Sequence, residues 1–178
     1  DVSGDHGRVT ARRVVAAAGH GMATLGTRLP HRPGYAAPKL RLAKGHYFAL
    51  SRPHPFRHLI YPIPADGGLG VHLTFDIAGR AKFGPDVTWV DRVDYGFEDG
   101  DGARRAAFED AIRHYWPGLP AGALAPDTTG VRPKLSGPGE PVADFAIHGK
   151  AEHGIDGLVA LYGIESPGLT ASLAIADY

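Results

Sequence analysis

Cysteine is absent from the 178 residues, and methionine occurs once. Without a thiol there is no disulfide framework, no thiolate metal site, no redox dithiol and no cysteine nucleophile. An excess of charge is missing as well, because Lys plus Arg and Asp plus Glu both count 19. The longest basic runs are the pairs Arg12-Arg13 and Arg104-Arg105. That leaves no stripe to follow a polyanion, so nucleic acid is not an expected partner. No apolar stretch approaches the ~20 residues that span a bilayer, and membrane association is not indicated. The histidines are scattered, which gives a metal site little support. No Gly-x-Ser-x-Gly elbow is present, which disfavours serine hydrolase chemistry. Asp1 to Arg8 lack an initiator methionine and a signal-peptide layout. The expectation is a cytoplasmic chain that begins in mid-protein.

What is present is enough apolar material, 43%, for a real core. Arg12 to Gly26 read as a short buried strand, a glycine turn and a helical pattern running to Leu29, which is a βα unit of an α/β sheet. Gly19-His20-Gly21 invites a dinucleotide fingerprint, but Thr24 stands where the third glycine belongs and no acidic residue follows at the right distance. A later strand of the same kind of sheet is the better reading.

Composition shifts to proline, histidine and glycine at His31 to Gly34, which marks a boundary. Lys39 to Leu50 alternates polar and apolar residues around Gly45, as a long strand with a bulge or close backbone approach does. Leu59–Ile63, Gly70–Phe75 and Ala81–Gly84 follow, separated by the turn formers Ala65–Gly68 and Asp76–Gly79, and suggest an antiparallel meander. Trp89, Val90 and Val93 are candidates to close its edge. Asp101 to Tyr115 is a clear amphipathic helix with Ala103, Ala106, Ala107, Phe108, Ala111, Ile112 and Tyr115 on one face. A loop from Leu119 to Asp127 is expected, then strands at Gly130–Leu135 and Asp144–His148, and a loop from Lys150 to Gly157. The last segment reads as a strand, Leu158–Tyr162, turning sharply into a helix with Ser166 as N-cap and Pro167 at its first position. Leu169, Leu173 and Ile175 would form that helix's apolar face. A packing helix and an anion-binding helix start are both open at this point.

Eight stretches in order resemble one family: Ala17–Gly21, Lys44–Tyr47, Ile60–Pro64, Leu69–Thr74, Phe83–Asp86, Gly130–Lys134, Asp144-Phe145 and Gly163–Thr170. The chain is similar to the C-terminal half of FAD-dependent oxidoreductases of the D-amino-acid-oxidase superfamily, in the branch of L-2-hydroxyglutarate dehydrogenases and oxidases. The implied fold class is α/β plus α+β: the C-terminal part of an FAD/NAD(P)-binding Rossmann-like domain with an inserted antiparallel-sheet substrate domain. Residues 1–30 and 128–178 would belong to the cofactor domain and 31–127 to the substrate domain. The glycine fingerprint that holds the FAD pyrophosphate in such enzymes is not in these 178 residues. The N-terminal part of the FAD domain is therefore an implied partner. Alternatives are an amino-acid or amine oxidase of the same superfamily, or a non-catalytic binding module.

For a small 2-hydroxy acid, oxidation needs a cation for the carboxylate and a base near the hydroxyl. Arg132 suits the first role through its bidentate fork, and the resemblance places an arginine in a similar Arg-Pro strand. The bland role for Arg132 is an ion pair with Asp144 or Glu140. Lys44 is the candidate second cation for a dicarboxylate such as 2-hydroxyglutarate. His72 lies on the opposite strand face from Val71 and Leu73 and could be the base. Tyr61 and Tyr47 could line the same pocket. For the cofactor, the resemblance implies that Gly19 and the turn of Gly163, Ile164, Ser166, Pro167, Gly168, Leu169 and Thr170 lie against FAD. The N–H groups from Gly168 to Thr170 would stabilise negative charge on the reduced ring.

Overall fold

The computed structural model describes residues 1–63 and 70–178; the expected turn Ala65–Gly68 lies outside them. The chain divides into two units, one of residues 1–42 with 132–178 and one of residues 43–131.

The first unit opens with an exposed antiparallel pair, β1 (Val2–Gly4) and β2 (Gly7–Val9). The βα unit follows as β3 (Val14–Ala16), a 3-10 turn at Gly19–Gly21 and α1 (Met22–Arg28). Its sheet is completed from the other end of the chain, with β10 (Leu158–Tyr162) in the centre, parallel to β3 and antiparallel to β9 (Ala146–His148). Ala16, Met22, Leu158, Ala160 and Tyr162 form the core under it. Glycine at position 26 is required by packing, since a Cβ there would lie 2.9 Å from the Tyr162 hydroxyl oxygen.

Residues 31–42 stay with this unit, although the composition change at His31–Gly34 suggested a boundary there. Ala37 and Leu40 pack on the same core, and the Tyr35 hydroxyl lies 2.9 Å from His148 Nδ1 and 3.4 Å from the Tyr162 hydroxyl. Burial, followed by its hydrogen bond with Tyr162, holds the Tyr35 phenol well above its usual pKa.

The second unit is built on β4 (Arg41–Leu50), β5 (His72–Phe75), β6 (Ala81–Gly84) and β7 (Thr88–Val90) in the order β5-β6-β4-β7, with β8 (Leu124–Lys134) also pairing with β4. The expected meander is thus rearranged, because β4 pairs with β6 and not with the strand that follows it. Leu59–Ile63 is not a strand. It is reduced to a single bridge, Ile60 with Leu73, and Pro62 has no N–H to extend the ladder. Asp76–Gly79 is a turn as expected, with Gly79 at φ 79°. At Gly45 the close backbone approach is present: a Cβ would lie 2.7 Å from Pro85 Cβ.

The amphipathic helix is α2 (Ala103–Arg113), which buries Phe108 and Ile112. Its apolar face is narrower than the pattern suggested, since Ala103, Ala106 and Ala107 are exposed. Phe48, Leu50, Leu73, Phe83, Phe108 and Ile112 lead the core between sheet and helix. At roughly 1.5–3 kcal/mol per fully buried large apolar side chain, this cluster is the main source of the unit's stability.

Three further expectations change in the C-terminal third. The loop Leu119–Asp127 ends early because β8 already begins at Leu124, and Asp127 is drawn in by Lys82 at 2.5 Å. The loop Lys150–Gly157 contains a short helix, α3 (Lys150–His153), whose Glu152 carboxylate accepts the Gly149 N–H at 2.7 Å. The final helix, α4, covers only Ser172–Asp177, and neither Ser166 nor Pro167 starts it. From Ser166 to Ala171 the backbone closes separate turns, with Gly168 N–H donating to the Glu165 carbonyl and Ala171 N–H to that of Pro167. Leu169 and Leu173, expected on a packing face, are 91% and 81% exposed.

Candidate functional site

In the first unit the polar groups converge where β10 runs into the Gly163–Thr170 turn. Gly163 sits at φ 69°, and a Cβ on it would lie 2.5 Å from Leu135 Cγ, so the chain turns here only with glycine. Two residues on, Glu165 meets the end of β8. Strand alternation puts Arg132 and Lys134 on one face and the buried Val131 and Pro133 on the other. Lys134 Nζ is 2.5 Å from Glu165 Oε1, and Arg132 Nη1 is 3.5 Å from Glu165 Oε2. The second contact is an ion pair without hydrogen-bond geometry, and Glu165 Oε2 is buried without a hydrogen-bond partner. The ion pair of Arg132 is therefore with Glu165, and not with Asp144 or Glu140, the structural alternative raised by the sequence. Lys134 and Glu165 were not foreseen as members of the cluster; the signal for Lys134 was present in the x-Arg-Pro-Lys alternation, whereas that for Glu165 was not.

Beyond Glu165, Ser166, Pro167, Leu169 and Thr170 are exposed while Gly168 is buried. Among the described residues the N–H groups of Leu169 and Thr170 make no hydrogen bond. They lie ahead of the six-residue α4, so the macrodipole expected to reinforce them is small and displaced. Ile164 is half-buried, and its Cγ2 would lie 2.6 Å from a Cβ at position 168. Gly19, at φ 55°, opens the 3-10 turn after β3, and a Cβ on it would meet nothing within 4 Å.

In the second unit, His72 begins β5 with Leu73 fully buried beneath the sheet, so His72 lies on the face away from the core as alternation required. Its ring stacks on Tyr61 at 4.1 Å between centroids and 30° between planes. Tyr61 is 59% exposed. Tyr47 is half-buried with Lys82 Nζ 5.5 Å above its ring.

Lys44 is placed differently from its expected role. It is buried, and its ammonium lies 3.1 Å from Asp94 Oδ2 and 2.8 and 2.9 Å from the two Glu98 oxygens. His46, also buried, sits between Asp86 Oδ1 at 2.9 Å and Glu98 Oε2 at 3.1 Å, and Arg104 pairs with Asp86. A cavity of about 400 Å³ borders this network, lined by Asp86, Thr88 and Arg104 with Val71, Val87 and Phe108. The histidines His54 and His58 do stand four apart, the spacing of paired helical metal ligands, but the segment is not helical.

Known proteins bear on these units in three ways. The family model described as DAO, FAD dependent oxidoreductase, matches residues 1–178. The mitochondrial L-2-hydroxyglutarate dehydrogenase of Arabidopsis thaliana is 46% identical over 177 residues, covering 93% of this chain and 36% of that protein. Dithionite-reduced L-alpha-glycerophosphate oxidase from Mycoplasma pneumoniae, with FAD bound, matches at TM-score 0.68 and 24% identity over 93% of this chain and 41% of that one. At that identity the second likeness speaks for the fold alone, an α/β arrangement of mixed sheets with helices. The chain thus spans well under half the length of either relative. With the whole chain matched by the family model, it belongs to the DAO family of FAD dependent oxidoreductases.

Proposed function

We propose that this chain is the C-terminal part of an FAD-dependent dehydrogenase or oxidase of small 2-hydroxy acids, with 2-hydroxyglutarate the favoured substrate. The observation that carries the reading is Arg132, partly exposed on one face of β8 and set beside the glycine-rich turn that starts at Gly163. The 46% identity to a plant L-2-hydroxyglutarate dehydrogenase supports the choice of substrate.

The turn fits a flat, electron-rich ring edge. Leu169 offers an exposed apolar side chain beside two N–H groups, its own and that of Thr170, that have no hydrogen-bond partner among the described residues. Gly163, Ile164, Ser166, Pro167, Gly168, Leu169 and Thr170 are the residues assigned to FAD, with Gly19 the second approach point. When bound, FAD supplies the two-electron acceptor. The unit of residues 1–42 and 132–178 is assigned to the cofactor domain, and the unit of residues 43–131 to the substrate domain.

Arg132 is assigned to the substrate carboxylate, which its planar fork can hold through two N–H donors. His72 is assigned to accept the hydroxyl proton on a ring nitrogen, with Tyr61 fixing the ring by stacking. The test is an absorption spectrum of the full-length protein across the flavin bands, then addition of L-2-hydroxyglutarate. The expected result is a yellow protein that bleaches. A colourless protein defeats the flavoenzyme reading, and a yellow one reduced only by amino acids defeats the substrate assignment. Arg132→Ala is expected to raise KM by at least tenfold, on the order of 1.4 kcal/mol or more of lost binding.

A further inference from the structure

We propose that Lys134 is a positioning residue that keeps Glu165 off Arg132. The inference rests on the assignment of Arg132 to the substrate carboxylate and adds a device that keeps this cation available.

A guanidinium beside a carboxylate ordinarily closes a short, two-pronged pair, which uses the very fork a substrate carboxylate needs. Here the protein supplies such a competitor within reach: Glu165 lies in the turn next to Arg132, and its side chain is only 13% exposed. Water cannot readily satisfy it, so its carboxylate must find a cation. Lys134 takes that place. Its ammonium holds Oε1 at 2.5 Å, while Oε2 is left 3.5 Å from Arg132 Nη1 without a hydrogen bond. The two contacts share one carboxylate, so the stronger one sets its orientation. Arg132 is 30% exposed and retains its donors, with enough negative charge nearby to stabilise the cation.

Alternation makes the device possible, because residues two apart on β8 share a face and can flank one carboxylate. The backbone holds Glu165 in register, since the Gly168 N–H bonds its carbonyl and Gly163 two residues before is fixed at φ 69°. Without Lys134, the same carboxylate has one cation left and turns onto it.

Calorimetric binding of glutarate, which lacks the oxidisable hydroxyl, to the full-length flavin-loaded protein tests this without turnover. Lys134→Met is expected to weaken glutarate about tenfold, and the double variant Lys134→Met/Glu165→Gln to return to within about threefold of the original affinity. Glu165→Gln alone is expected to bind glutarate as tightly as the unaltered protein or more tightly. In turnover, Lys134→Met is expected to raise KM while kcat stays within about twofold.

Failure of the double variant to recover affinity overturns the proposal, since it means that Lys134 serves the ligand itself or only the fold. Unchanged affinity in Lys134→Met, or weakened affinity in Glu165→Gln, overturns it equally. Should Lys134→Met not fold, Lys134→Gln with and without Glu165→Gln takes its place, with weaker glutarate binding expected in the single variant and recovery in the double one. Arg132→Ala separates the two levels: if it leaves glutarate binding unchanged, the assignment of Arg132 fails first.

Discussion

A lysine ammonium has three N–H donors, and Lys44 directs them at three carboxylate oxygens, one on Asp94 and two on Glu98. Nothing is left for a ligand. Burial alone would lower the Lys44 pKa, but Glu98 and Asp94 together raise it. On the acidic side, the Gly96 N–H and then Lys44 hold Asp94 down to about 2, and Lys44 followed by His46 lowers Glu98. Their unfolded values lie near ~4. Because both folded pKa values are depressed, this stabilisation is fully present above the unfolded values and is lost as pH falls through the folded ones, about 2 for Asp94. Lys44→Met removes a shared cause of both depressions. The melting-temperature gap between the unaltered protein and Lys44→Met is therefore expected to narrow steadily from pH 5 to pH 2. A gap that stays constant over that range would show that the ammonium does not couple to these carboxylates.

Elements with a strong local period were the legible ones. The βα unit, the long strand with its close approach at Gly45 and the helix carrying Phe108 and Ile112 follow from spacing and glycine placement. Partners distant in the chain were not legible. Lys44 finds Asp94 and Glu98 in an irregular segment about 50 residues away, and no periodicity announces that. The last helix was misread because Ser166-Pro167 is a good local start signal, while the tertiary pull of Lys134 on Glu165 and the buried Gly168 favour separate turns. Part of the site could still be read: Arg132 and the Gly163–Thr170 turn lie together, but the glutamate between them needed coordinates. The turn's dependence on glycine is testable. Gly163→Ala is expected to lose roughly 2–3 kcal/mol in urea unfolding, combining left-handed strain with overpacking against Leu135. A loss within error of zero would mean that Leu135 moves aside freely.

For the whole molecule, the consequence of two separate cores is that stability need not be uniform. One core gathers Phe48, Leu73, Phe83, Phe108 and Ile112, and the other Ala16, Met22, Leu158, Ala160 and Tyr162. The chain passes from one unit to the other inside β4, between Leu42 and Ala43, and returns inside β8, between Val131 and Arg132. Regions with their own cores commonly open as their own cooperative units. Phe108 is 2% exposed and packs edge-on to Phe48 at 4.9 Å, so Phe108→Ala is expected to destabilise its unit by about 3–5 kcal/mol. Amide exchange of that variant should show faster exchange by about two to four powers of ten across β4 to β7, with β3 and β10 keeping their protection. An equal fall in both sets of strands would mean that the two cores open as one.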